Sequence, residues 1–240
     1  FGVGAGTTFE YVQSFNGGDD GIEFFGGSVS GNNLVSIGSG DDSIDFADGW
    51  TGTGSYWYIK NGAKAGIEGS NNGDDGNATP VTTTTLSNIS VVGPVTEGAL
   101  YFKEGGGVFT ITDFYTDSVD LGVKVSASDA EAAVRIEADL LSINPMQFDN
   151  PAAGWMITDY TGANQSFYTE GVNQGAGNGA ASPDWAAGWT IGLDNSGASS
   201  TENLAGEVTG VVTLSADVEY QLTSAFVVRS GGSLTIPAGT

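Results

Sequence analysis

The stretch that decides the fold reads Gly18-Asp19-Asp20-Gly21-Ile22-Glu23-Phe24, and it recurs 22 residues later as Gly40-Asp41-Asp42-Ser43-Ile44-Asp45-Phe46. A degenerate third copy, Gly66-Ile67-Glu68, follows about 23 residues after the second. Upstream apolar positions keep the same step, from Val12 to Leu34 to Trp57. Short β-like segments that return at this interval, separated by Gly, Asn and Asp, are typical of a parallel β-helix. We therefore predict an all-β solenoid with coils of about 22 residues.

Coiling would place equivalent residues of successive coils about 4.8 Å apart. Ile22, Ile44 and Ile67 are then expected to form an inward aliphatic stack. The acids would form columns, with Asp19 beside Asp41, Asp20 beside Asp42, and Glu23 beside Asp45 and Glu68. Like charges at this spacing repel by about 1 kcal/mol per pair even in bulk water.

Calcium is the cofactor that these columns suggest. The chain has 6 Lys plus Arg against 29 Asp plus Glu, so its own cations cannot neutralise the acids. Calcium takes six to eight oxygen ligands, which Asp, Glu, Asn and turn carbonyls supply. The alternative is that the acids are solvated turn residues, which Asx-turn geometry favours. The candidate metal ligands are Asp19, Asp20, Glu23, Asp41, Asp42, Asp45, Asp48, Glu68, and Asp74 and Asp75 in a second loop rich in Asn.

Composition limits the functions that are open to this chain. The net charge of −23 disfavours binding to nucleic acid or to anionic lipid. Cysteine is absent, which excludes disulfides and thiolate sites, and histidine is absent, which excludes a Ser-His-Asp triad. The sequence contains no run of about 18 apolar residues, so it predicts no membrane span. The first residue, Phe1, indicates a mature or excised piece of something longer.

The rest of the chain divides into three predicted regions. Residues 1–161 are expected to form β-helix coils with acidic turns, and residues 162–203 a Gly-, Ser- and Asn-rich loop or cap over the helix end. Residues 204–240 are expected to be the opening strands of a further β-helix and a possible subunit-joining segment. Composition allows a short helix over residues 130–141, but the alternation of Val134 and Ile136 with charged residues favours a strand.

Several stretches resemble a family of secreted surface proteins and lipoproteins of marine and Bacteroidota-type bacteria. They are Gly4 to Gln13, Asp19 to Gly27, Asp41 to Asp45, Asp48 to Gly52, Leu86 to Gly93 and Lys103 to Gly105. The resemblance covers residues 1–125 and 204–240 well and the middle poorly. It implies a right-handed β-helix, an extracellular or cell-surface location, and no established catalytic residues.

One departure from that family concerns chain order. A segment such as Leu234 to Thr240 normally precedes the coils that contain Glu10-Tyr11-Val12, whereas here it comes last. The chain is therefore expected to be one unit of a tandem array, or to stack head to tail with other copies as a filament, with a capped monomer as the remaining alternative.

Other features carry weaker hypotheses. Trp50, Tyr56, Trp57 and Tyr58 could stack on sugar rings if exposed, or form an aromatic core stack. The four threonines from Thr82 to Thr85 suggest a water-ordering, ice-binding array, although no coil-period repeat of them is evident. Paired acids also occur in β-helix polysaccharide hydrolases, but the Gly-His-Gly and Arg-x-Lys elements of those enzymes are absent.

These observations favour a non-enzymatic function. We expect an extracellular structural or adhesive β-helix unit that is stabilised by calcium and whose main partner is another copy of itself. The alternative is a carbohydrate-binding or polysaccharide-processing β-helix module, with an extracellular polysaccharide as partner.

Overall fold

A computed structural model describes residues 2–126, 128–193, 200–215 and 218–236 of the chain. The chain divides into two compact units, Phe1–Pro183 and Asp184–Thr240. No helix among the described residues is long and apolar enough to cross a membrane.

Two parallel sheets form the first unit. The long-strand sheet contains β1 (Phe9–Phe15), β3 (Gly31–Ile37), β5 (Thr53–Lys60), β7 (Thr83–Val92), β9 (Val108–Asp117), β11 (Leu141–Asp149) and β13 (Tyr168–Glu170). The short-strand sheet contains β2 (Ile22–Phe25), β4 (Ile44–Ala47), β6 (Ile67–Ser70), β8 (Leu100–Lys103), β10 (Leu121–Val125) and β12 (Met156–Thr158). The chain visits the two sheets alternately, and each strand pairs with the strand one coil away. This is the predicted right-handed parallel β-helix.

The predicted register is confirmed in the first coils. Ile22 pairs with Ile44 and Ile44 with Ile67, and all three side chains are buried. Val12 pairs with Leu34 and Leu34 with Trp57, as the sequence step required. The 22-residue period does not persist, however, because later coils carry insertions in their turns. Gly54, for example, pairs with Leu86.

The long strands share one backbone feature. Tyr11, Asn33, Tyr56, Asn88 and Asp113 have φ values of 54°, 53°, 57°, 58° and 52°. They occupy equivalent places in β1, β3, β5, β7 and β9, where a single left-handed residue redirects an extended chain. Each of these strands therefore has a first and a second segment with separate outer faces.

One predicted strand is wrong. Residues Ala130–Glu137 form the helix α1, which lies in the turn before β11. The Asp129 side chain caps it by accepting a hydrogen bond from the Ala132 amide at 2.8 Å. Ala132 and Ile136, one turn apart, bury its apolar side. The alternation of Val134 and Ile136 is thus part of a helical pattern, and Val134 is exposed.

Within the predicted loop or cap, residues 171–183 form an irregular loop, the glycine-rich strap. This strap runs along the outer face of the second segments of the long strands, from β11 back to β5. Gln147 Oε1 accepts a hydrogen bond from the Asn173 amide at 2.6 Å, and the Ser90 hydroxyl donates to the Gly179 carbonyl at 2.9 Å. The Tyr58 hydroxyl donates to the Ala180 carbonyl at 2.7 Å. Tyr168–Glu170, just before the strap, continues the long-strand sheet.

The second unit contains two further pairs of parallel strands. β14 (Ser200–Val208) pairs with β16 (Val218–Val228), and β15 (Val211–Thr213) pairs with β17 (Ser233–Thr235). A short 3-10 helix, Asp184–Ala186, precedes them. Arg229 forms an ion pair with Glu207, 22 residues earlier. Of the segment Leu234 to Thr240, residues 237–240 lie outside the described residues, as do residues 194–199 of the predicted cap.

Candidate cation site

The acidic ladder is the row Glu23, Asp45 and Glu68 on the outer face of the short-strand sheet. Ile22 and Phe24 point into the core, so Glu23 between them points outward. Strand pairing places Glu23 beside Asp45 and Asp45 beside Glu68. The sequence prediction of this column is therefore confirmed in its geometry.

The turn that precedes each short strand adds further acids. Asp20 Oδ1 accepts a hydrogen bond from the Asp42 amide at 3.0 Å, and Asp42 Oδ1 accepts one from the Ala65 amide at 2.6 Å. Each aspartate thereby holds the backbone of the next coil, which is the turn role that the alternative hypothesis gave them. Asp42 is buried, and interaction with its carboxyl is one cause of the raised pKa of Glu68.

Asp20, Glu23 and Asp45 form the tightest group. Each offers a carboxylate oxygen, and the three oxygens lie within 4.8 Å of one another. Asp45 is only 8% exposed, and its Oδ1 atom is buried without a hydrogen-bond partner among the described residues. A buried carboxylate oxygen with no donor is costly unless the group is protonated or a cation lies beside it.

Burial shifts the acids of this site toward their neutral forms. It raises the pKa of Asp45 to about 9, and the charges of Glu68, Glu23 and Asp20 add to the shift. Burial also raises the pKa of Glu23, with the charge of Asp20 as the second cause. The pKa of Asp20 is raised by burial too, against the lowering effect of the Asp42 amide. Without a cation, the ladder therefore retains protons at neutral pH.

Two lysines lie beside acids at the edge of this group. Lys103 Nζ lies 2.9 Å from Glu68 Oε2, and Lys64 Nζ lies 2.6 Å from Asp41 Oδ1. Burial and the hydrogen bond with Asp42 raise the pKa of Glu68 to about 8, although Lys103 opposes the shift. No ion pair to Asp45 occurs in the part of the chain that the structure describes. The sequence alone does not pair Lys103 with Glu68. An insertion between β6 and β8 breaks the 22-residue spacing from which neighbours in the first coils are predicted.

The remaining predicted ligands lie elsewhere. Asp19 joins Asp20 and Asp41 in a second group within 4.8 Å, but Asp19 is exposed and Asp41 is held by Lys64. Asp48 Oδ1 accepts a hydrogen bond from the Asn72 side chain at 2.7 Å. It is not part of either acidic group found among the described residues.

Asp74 and Asp75 lie in an exposed loop that is ordered by its own asparagines. Asn72 Oδ1 accepts hydrogen bonds from both of their amides, at 3.0 and 2.9 Å. The loop lines a polar cleft of about 510 Å³ together with Tyr101, Lys103 and Glu104. Asp74 and Asp75 are in neither acidic group found among the described residues, and the cleft shares Lys103 with the acidic ladder.

The aromatic sugar-stacking hypothesis is wrong for three of its four residues. Trp50 and Trp57 are fully buried and Tyr58 is 1% exposed. The indole N–H groups of Trp50 and Trp57 donate to the carbonyls of Val29 and Gly31 at 2.9 and 2.8 Å. These rings form the core stack of the alternative hypothesis, and only Tyr56, 41% exposed, lies at the surface.

Comparison with known families agrees with this geometry of stacked parallel coils. Residues 1–190 match the family described as the pectate-lyase like beta helix domain. The chain belongs to the pectate-lyase-like β-helix family. No curated protein and no solved structure matches it significantly. The pectate-lyase-like fold is found in enzymes and in non-enzymes, and domains of this type are often extracellular or surface-associated. Membership therefore fits a surface or polysaccharide-related module.

Proposed function

We propose that this pectate-lyase-like β-helix is an extracellular structural or adhesive unit whose coils are held together by calcium. The proposal depends on one observation: the buried Asp45 Oδ1 atom, which has no partner among the described residues, within 4.8 Å of carboxylate oxygens of Asp20 and Glu23. Because Asp20 and Glu23 belong to one coil and Asp45 to the next, an ion between them would fasten two coils.

Calcium fits this donor set better than the other biological cations. The three side chains offer only oxygen, which suits a hard cation, and calcium tolerates irregular geometry and a coordination shell completed by water or carbonyls. Magnesium demands near-octahedral geometry, and zinc prefers nitrogen and sulfur donors. Histidine and cysteine are absent from the chain. A divalent ion would also relieve the repulsion within a chain of net charge −23.

A structural role is favoured over catalysis by the burial of the acids. Asp45 and Glu68, whose pKa values are the most useful for a general acid at neutral pH, are 8% and 6% exposed. A polysaccharide chain would have to contact one of them directly to be cleaved. The missing histidine removes the commonest base.

The second unit supports the proposal that coils continue from one unit to another. The pairing of β15 with β17 repeats the 22-residue step of the first coils, as Val211 and Ser233 illustrate, whereas β14 and β16 pair at a shorter step, with Val208 beside Val228. Two coils bury little apolar surface on their own, and Val211 and Leu222 are 83% and 70% exposed. We propose that such units follow one another, in a tandem array or head to tail between copies.

The alternative function is binding or processing of an extracellular polysaccharide. It is supported by the family and by the polar cleft at Tyr101 and Lys103. Polar clefts with an aromatic ring and a few charged groups suit sugars.

Thermal unfolding in calcium and in chelator tests the favoured proposal. Calcium should raise the unfolding midpoint of the natural protein, because it binds the folded state only. The variant Asp45→Asn should lose that response, while the matched variant Asp74→Asn in the exposed loop should retain it. An equal response of natural protein and Asp45→Asn would contradict the proposal, and cleavage or tight binding of a polysaccharide would favour the alternative.

A further inference from the structure

We propose that the long-strand sheet carries an ice-binding face, independent of the cation site. The hydroxyl face consists of two columns on the first segments of the long strands. The outer column is Thr53, Thr85, Thr110 and Ser142, and the inner column is Asn32, Ser55, Ser87 and Thr112.

Strand pairing fixes the spacing of both columns. Thr53 pairs with Thr85, Thr85 with Thr110, and Thr110 with Ser142, so their neighbours are about 4.8 Å apart. The two columns are two residues apart along each strand, or about 6.6–6.8 Å. These two spacings approximate oxygen repeats on the surface of hexagonal ice. The parallel register repeats this arrangement from coil to coil.

Buried core residues support the hydroxyl face from inside the helix, and its outer column is exposed to solvent. Gly54, Leu86, Ile111 and Ile143 alternate with the outer column and are buried in the core. All four residues of the outer column are exposed. The hydroxyls of Thr85 and Thr110 donate no hydrogen bond to any residue in the described ranges, so they are available to water. At one end of the face, the Thr53 hydroxyl donates a hydrogen bond to the Ser30 hydroxyl at 3.0 Å. Ser30 thereby extends the outer column by one coil.

The hydroxyl face differs from the rest of the acidic surface because its eight positions are uncharged. None of its eight positions is charged, although the chain has 29 acidic and 6 basic residues. Threonine is common on strand surfaces because of its β-propensity, and that alone would explain single positions. The four coils of each column carry no acid, and Glu10, which pairs with Asn32, lies beyond the end of the inner column. Charged groups order water around themselves and disrupt an ice-like lattice, so a neutral array of hydroxyls and methyls fits an ice surface.

Ice recrystallisation and thermal hysteresis, measured on the full chain, test this inference. The natural protein should inhibit recrystallisation and depress the freezing point below the melting point. The double variant Thr85→Lys with Thr110→Lys should lose both activities. The matched control, Thr161→Lys with Thr223→Lys, places the same charges at exposed threonines outside the face and should keep them.

Thr85 and Thr110 are exposed, as are the control positions Thr161 and Thr223. Both double lysine variants should therefore unfold at the same temperature as the natural protein. If the Thr85 and Thr110 variant unfolds early, Thr53→Lys with Ser142→Lys gives the same test at the ends of the column. An inactive natural protein would overturn the inference. So would full activity of the lysine variants, or binding to crystalline cellulose or chitin without any effect on ice.

Discussion

Asp45 lies beside Glu23 across the pairing of β2 with β4, and a carboxylate oxygen of each lies within 4.8 Å of the other. Two carboxylates this close repel each other, and burial with that repulsion raises the pKa of both. The arrangement therefore makes the first two coils sensitive to pH and to cations, because either a proton or a metal ion must separate the two charges.

The calcium-free protein should lose stability as the pH rises. The pKa of Asp45 moves from an ordinary value of 3.8 to about 9, and that of Glu68 from 4.5 to about 8. Between these limits the folded state binds protons that the unfolded state has released, so the free energy of unfolding falls with increasing pH. In chelator, the unfolding midpoint should be lower at about pH 8 than at about pH 5. Asp45→Asn should flatten this dependence, and a midpoint that rises with pH would be inconsistent with the burial of these acids.

Removing Lys103 should destabilise the protein more than removing Lys64. Lys103 lies 2.9 Å from the buried Glu68, and Lys103→Gln would leave that carboxyl without its cation. We expect a loss of about 1–3 kcal/mol in the free energy of unfolding at neutral pH, measured by denaturant titration. Lys64→Gln removes an exposed ion pair with Asp41 and should change little. Equal effects of the two variants would mean that Glu68 is better solvated than the structure indicates.

Trp57→Ala should cost about 3–5 kcal/mol, because it opens a cavity in the aromatic core. The Trp57 ring contacts Phe24 at 6.4 Å and Trp50 at 6.5 Å between centroids. Tyr56→Ala, at the exposed neighbouring position, is the control and should cost far less. The same two variants, tested on a polysaccharide panel, distinguish a core stack from a sugar platform.

The glycine-rich strap should not tolerate a side chain at Gly175. A Cβ atom there would lie 2.3 Å from Ser90 Oγ and 2.6 Å from Tyr115 Cβ, and φ is +50°. Gly154 also has a positive φ, +84°, but a Cβ atom there would meet nothing within 4 Å. Gly175→Ala should therefore lower the free energy of unfolding by about 1–3 kcal/mol more than Gly154→Ala. Faster proteolysis within residues 171–183 would accompany that loss.

The early coils could be predicted from sequence because their turns carry no insertions. The repeated acids and the Ile22, Ile44 and Ile67 stack then recur at a nearly constant interval. Beyond Ile67 the turns lengthen, and linear spacing no longer shows which residues are neighbours. The hydroxyl columns illustrate this: Thr53, Thr85 and Thr110 are adjacent in the sheet but unevenly spaced in the chain.

Tertiary packing and local helix signals explain the other differences between the sequence predictions and the structure. The helix Ala130–Glu137 has an N-terminal Asp129 and apolar residues one turn apart, which is a helical pattern. Nothing in the local sequence places residues 171–183 along Tyr58 and Ser90, because those hydrogen bonds join distant parts of the chain. The burial of Trp50 depends likewise on which coil covers it.

A crystal structure of the natural protein grown with calcium tests the central claim most directly. We expect an ion at about 2.3–2.6 Å from oxygens of Asp20, Glu23 and Asp45, identified by its anomalous signal. Ordered water alone between these three carboxyls, or an ion bound only at the exposed loop of Asp74 and Asp75, would contradict it.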